Sequence, residues 1–213
     1  MANKNKRSQI QQANQRRANQ QRYEVESKKL TLFTLIALGV SVVLLLLLFV
    51  NFAGVYNPQA KNGIEVKVSG WSFAIAALTG NYSSDLEAVY GNLAVPFYYY
   101  AREFSETVAV FALLTVVVIL FNVAVQVITV VKKMYILNCV SAILNVVIAA
   151  LLIVCFAEAL AMKYSDIIPD YCNGNPLCSI GSYAIVPAIF AIGSAAVSVY
   201  TTVRYMKVSK LLK

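Results

Sequence analysis

The residues of this chain best placed to do chemistry are amides in apolar surroundings. Asn122, Gln126, Asn138 and Asn145 sit inside two long apolar stretches, and Glu158 is the only formal charge within any such stretch. A carboxamide in hydrocarbon has no water to bond, so it either pairs across helices or lines a polar route for an ion or small solute. A carboxylate at that depth is the default candidate for a cation or proton site. Cys172 and Cys178 bracket the run Asn173-Gly174-Asn175-Pro176-Leu177. That spacing suits a disulfide on the oxidising side of a membrane. The competing metal site, with Asp166 and Asp170 nearby, lacks the imidazoles usual for zinc. The chain contains no histidine, which removes the commonest general base, proton shuttle and transition-metal ligand. No catalytic residue, cofactor or metal ion is expected.

The elements that must position these groups are apolar helices. Residues 107–131 carry no charge and would rise about 37 Å as a helix, enough to cross a hydrocarbon core of about 30 Å with some tilt. At 100° per residue, Thr115, Asn122, Gln126 and Thr129 fall within about 60° of one another. Asn138, Ser141 and Asn145 share a face of the next stretch, 134–162, in the same way. Only Lys132 and Lys133 separate the two stretches. Counting from that pair puts Gln126 at the depth of Asn138, and Asn122 at that of Ser141 and Asn145. Two facing polar stripes are therefore predicted, with each cross-helix contact worth about 0.6 to 2 kcal/mol. Glu158 lies about 140° around the helix from Asn145 and about 6 Å from the end of its stretch, so it is expected to be a structural carboxylate reaching toward outer water.

A composition that is 59% hydrophobic, with mean hydropathy +0.66 over 213 residues, is too apolar for a soluble domain. The fold class expected is an all-α integral membrane protein. It would be a four-transmembrane-helix bundle with a small outer β-hairpin and a short helix in the first outer loop. Residues 30–206 form the membrane domain, with spans at about 30–53, 107–131, 134–162 and 183–203 and outer loops at 54–106 and 163–182. Residues 1–29, rich in Gln, Asn and Arg, read as a disordered or loosely helical cytoplasmic tail, and 207–213 as a second basic tail. The net charge of +8 is topological: 14 of the 18 Lys and Arg fall in the segments predicted inside, while Lys61, Lys67, Arg102 and Lys163 lie in the outer loops. Both termini are thus expected in the cytoplasm and the protein in the plasma membrane, with anionic headgroups at the basic tails. No nucleic acid is expected, since Tyr23 is the only aromatic among the N-terminal basic residues.

In the first outer loop, Ile64 to Val68 alternates apolar and polar, Ser69-Gly70 offers a turn, and Trp71 to Ile75 alternates again, which predicts a hairpin. Ser84-Asp85-Leu86-Glu87 matches a capping box, with Leu86, Val89, Tyr90 and Leu93 at helical spacing behind it. Pro96 can open the next helix, and Tyr98 to Tyr100 suit an aromatic belt. In the fourth span Ala184, Ala188, Ala191, Ala195 and Ser198 share a side that lets another backbone come close.

This layout resembles that of claudin-like and other tetraspan proteins: a cytoplasmic N-terminus, a first outer loop with β-structure, a short inner turn and a smaller second outer loop. The resemblance is one of topology. The first loop carries Gly70-Trp71-Ser72-Phe73 in place of the claudin Trp-Gly-Leu-Trp stretch and has no cysteine, and the Cys-Cys-Gly of tetraspanins is absent. No functional residue is carried over. The function expected is that of a structural or interaction protein, a scaffold or accessory subunit, presenting its outer loops to a partner and packing with a second copy or another membrane protein. The alternative is a small transporter or channel subunit using the polar residues of the second and third spans. An intramembrane enzyme is disfavoured, because the buried segments hold no nucleophile beside a recognisable base.

Overall fold

In a helix that crosses lipid, the apolar side chains can face outward and the polar ones must face other protein. The chain follows that rule. The computed structural model describes residues 2–57, 64–80, 94–163, 179–182 and 184–210. Within them are four helices long and apolar enough to cross a membrane, which mark a membrane-embedded, multi-pass chain. They belong to α1 (Ala2–Leu47), α3 (Ala94–Lys132), α4 (Asn138–Lys163) and α5 (Ile185–Ser209), with a shorter helix, α2 (Gly70–Thr79), between the first two. Leu46, Val117, Ile143 and Ile189 are each more than half exposed, while Asn122, Gln126, Asn138, Ser141 and Asn145 are wholly buried. These polar side chains face inward while these apolar ones face out.

The basic segment ahead of the first span is helical and continuous with it. Residues 2–38 hold no Gly or Pro and many good helix formers. An apolar helix that is already nucleated therefore propagates back through them. At its other end α1 stops at Leu47, short of the expected limit at residue 53, and the chain turns into strand β1 (Asn51–Asn57).

Correction is needed to the hairpin. Strand β2 (Ile64–Ser69) does form, but the expected second arm, Trp71 to Ile75, is part of α2. Ser69 is the N-cap, its hydroxyl accepting from Ser72 N–H at 3.1 Å, and Gly80, at φ 66°, ends the helix with its N–H on Ala76 O at 2.9 Å. The apolar run between them reads equally as strand or helix over five residues, and the two caps decide it. Strand β2 pairs instead with β1, antiparallel, with Val55 opposite Val66. Strand β3 (Ser179–Ser182) joins the other edge of β1, with Val55 opposite Ile180, in the order β2-β1-β3. The sheet thus ties the two predicted loops together. The helix expected from Leu86 to Leu93 and the Cys172–Cys178 pair lie outside the described residues.

The bundle interior has two halves. Toward the sheet it is apolar, with Leu44, Leu48, Phe73, Ala112, Ile119 and Leu152 among the buried cluster. Toward the opposite, basic end, which carries Arg22, Lys28, Lys29, Lys132, Lys133 and Arg204, it is lined with hydroxyls and amides. At the sheet end the last carbonyls of α1 would lack partners. The Trp71 indole N–H donates to Leu45 O at 3.0 Å, Trp71 N–H donates to Leu48 O at 3.1 Å, and the indole stacks on Phe49 at 5.2 Å. At the basic end α3 closes with Met134 N–H on Thr129 O at 3.1 Å and Lys133 left-handed at φ 54°. A lysine there gives up about 1 kcal/mol relative to glycine and keeps its charge at the turn.

Candidate functional site

The polar half of the interior is one hydrogen-bonded seam. Ser141, on the inward face of α4, is its centre. Its hydroxyl donates to Asn122 Oδ1 at 2.8 Å and accepts from Gln126 Nε2 at 2.8 Å, and its carbonyl accepts from Asn145 Nδ2 at 2.9 Å. Asn122 Nδ2 in turn reaches Asn145 Oδ1 at 3.1 Å and Ser41 Oγ of α1 at 3.2 Å. Ser198 of α5 lies 3.5 Å from Ser141 Oγ. Side chains from all four long helices meet at this level.

One turn nearer the basic end, Asn138 Nδ2 donates to Thr34 Oγ1 of α1 at 3.2 Å and to Tyr135 O at 3.1 Å. Tyr135, wholly buried in a 3-10 turn (Tyr135–Leu137) between α3 and α4, places its hydroxyl 2.6 Å from Thr31 Oγ1 and 3.1 Å from Ser27 Oγ. Depth alone places Gln126 beside Asn138, but its amide meets Ser141, and Asn138 turns to α1. A third helix supplies the acceptor that counting along two helices could not include. Thr34, Ser41, Thr129, Thr201 and Thr202 also bond carbonyls one turn back in their own helices, which satisfies hydroxyls that face the seam.

Sequence reasoning missed the contribution of α1. Ser27, Thr31, Thr34 and Ser41 recur at intervals of four, three and seven, a one-faced helical spacing legible in the sequence. It also missed the clasp at the basic end. Arg204 Nε and Nη2 hold Glu26 Oε2 and Oε1 at 3.0 and 3.1 Å, and Lys29 adds a contact at 3.2 Å. The hydrogen bond from Arg204 holds the Glu26 carboxyl below the usual carboxylate range against the opposing effect of burial. These partners are 178 residues apart, a separation that no local pattern reveals.

Glu158 stands apart, half-buried near the sheet end of α4, and forms no hydrogen bond or ion pair among the described residues. Cys155 is buried and Cys139 exposed, both free. Chemically the seam offers neutral donors and acceptors. It can hold helices together or hold water: among the described residues Gln126 Oε1, Asn138 Oδ1 and Ser194 Oγ are buried without a partner, the kind of polar atom a buried water satisfies.

If Asn122 and Asn145 act as one unit, each removal orphans the other. Asn122→Leu is expected to lower stability by about 2 kcal/mol, because it breaks three cross-helix contacts at about 0.6 kcal/mol each. Asn122→Leu/Asn145→Leu should cost less than the sum of the two single changes. Unfolding of the purified chain in mixed micelles measures both, and strict additivity would show that the two amides are not coupled.

No protein-family model, curated protein or solved structure matches this chain, and the seam's own chemistry is the ground on which its function is inferred.

Proposed function

We propose that this chain is a membrane scaffold or accessory subunit whose seam holds the bundle rigid while the loops at the sheet end meet a partner, either another membrane protein or a second copy. The observation that carries the proposal is the closure of the seam. Asn122, Gln126, Asn138 and Asn145 are all at 0% exposure, and each amide nitrogen donates to another helix or to the backbone. A small transporter or channel using these same amides would need water or an ion to reach them. Among the described residues no base neighbours the buried hydroxyls, which favours this reading over enzymatic chemistry.

The orientation proposed puts both termini and the Lys132-Lys133 turn in the cytoplasm and residues 54–106 and 163–182 outside the plasma membrane. The basic end then lies where cationic segments belong. Cys172 and Cys178 would face the oxidising side and are proposed to be bonded.

Two experiments test this reading. Liposomes containing the purified chain should pass monovalent cations and protons no faster than protein-free liposomes, and Glu158→Gln should change nothing; a flux that this single change abolished would establish the transporter reading instead. For orientation, Lys61→Cys in a background with the four native cysteines replaced should react with an impermeant maleimide on intact cells. Reaction only after the cells are opened would reverse the topology.

A further inference from the structure

A groove of about 630 Å³ opens at the basic end between the N-terminal part of α1 and the last turns of α5. Arg22 and Lys207 line it, both exposed and neither in an ion pair among the described residues. Val25 and Val208 form its apolar wall, and the Glu26–Arg204 clasp closes one side. The volume falls in the range of about 300 to 1,000 Å³ that small-molecule sites occupy.

Depth says what reaches it. Val25 lies about 7.5 Å of helix ahead of Leu30, the first residue of the apolar stretch, and Lys207 about 6 Å beyond Val203. The interfacial layer on each side of a bilayer is about 5 to 8 Å thick, so Val25 and Lys207 stand at headgroup level, and Arg22, about 12 Å of helix ahead of Leu30, reaches back to that level with its side chain. Glu26, the carboxylate on the lining, is already neutralised by Arg204 and Lys29. That leaves two uncommitted cations above an apolar wall.

We infer that this groove binds one anionic phospholipid, its phosphate held between Arg22 and Lys207 and its glycerol and first acyl carbons against Val25 and Val208. The inference rests on the membrane reading above but not on its orientation, because lipid added in detergent reaches either end of the bundle. A bound lipid would bridge the first and last helices beside the clasp and so link bundle stability to the charge of the surrounding leaflet.

The full chain in a neutral detergent, with phosphatidic acid or phosphatidylcholine added, tests it by native mass spectrometry of the lipid retained. Phosphatidic acid is expected to be retained in preference to phosphatidylcholine. Arg22→Gln/Lys207→Gln should weaken its retention by about tenfold or more, the scale of two cations near an anionic surface. The control Lys132→Gln/Lys133→Gln removes the same charge from the same end outside the groove and should leave retention unchanged. Circular dichroism checks that both variants keep their helices, and if the first loses them, Lys207→Gln alone is expected to weaken retention about fivefold. Equal loss in both double variants would show diffuse attraction and overturn the site, as would no loss in either. Binding of sn-glycerol 3-phosphate as tight as that of phosphatidic acid would overturn the lipid assignment in favour of a soluble anion.

Discussion

An amide that enters hydrocarbon must find a partner in the protein, and this requirement organises the bundle. Asn122, Gln126, Asn138 and Asn145 each carry more donors and acceptors than one neighbour can satisfy. Two helices alone would leave more of these orphaned than the two oxygens, Gln126 Oε1 and Asn138 Oδ1, that lack a partner among the described residues, at about 1 to 3 kcal/mol for each buried group. Ser41 and Thr34 bring α1 to Asn122 and Asn138, and Ser198 brings α5 to Ser141. Packing between apolar helices in lipid has little preference for one rotation over another, since lipid tails are as apolar as leucine. The hydrogen bonds supply the preference.

The ends of the bundle then need only local fixtures. Trp71 covers the carbonyls where α1 stops and carries the chain into α2. On the far side Tyr135 fills the turn between α3 and α4 and touches Tyr205 at 5.9 Å, while Glu26 and Arg204 close α1 onto α5. An exposed ion pair contributes little by itself. Held bidentate and half-covered, this one fixes how the two chain ends meet without having to carry the fold.

The sequence showed most of what periodicity can show. The four spans, the lysine turn and the facing stripes of α3 and α4 follow from charge-free runs and the 100° repeat, because composition over some twenty residues outweighs local ambiguity. What stayed hidden had physical reasons. Five residues from Trp71 to Ile75 satisfy a period of two and a helical face alike, and only the Ser69 and Gly80 caps separate the readings. The second sheet partner of β1 comes from residues 179–182, more than 120 positions away, and Arg204, the partner of Glu26, is 178 positions away. Depth places Gln126 beside Asn138, but depth along a helix does not fix which of three neighbours its amide meets. Thr34 and Ser41 could have been found, since their spacing is that of a helix face.

The central claim is that the seam is closed and serves to hold helices rather than to pass solute. Ser141 and Ser198 meet at its centre, and cysteine at either position keeps the size of the side chain. Water-soluble thiol reagents applied from both sides of proteoliposomes to Ser141→Cys and Ser198→Cys, with the native cysteines replaced, therefore test the claim most directly. No modification until the bundle is unfolded is the result expected. Modification of either residue in the folded protein, at rates comparable to a cysteine in a loop, would show that water reaches the seam and would contradict the account.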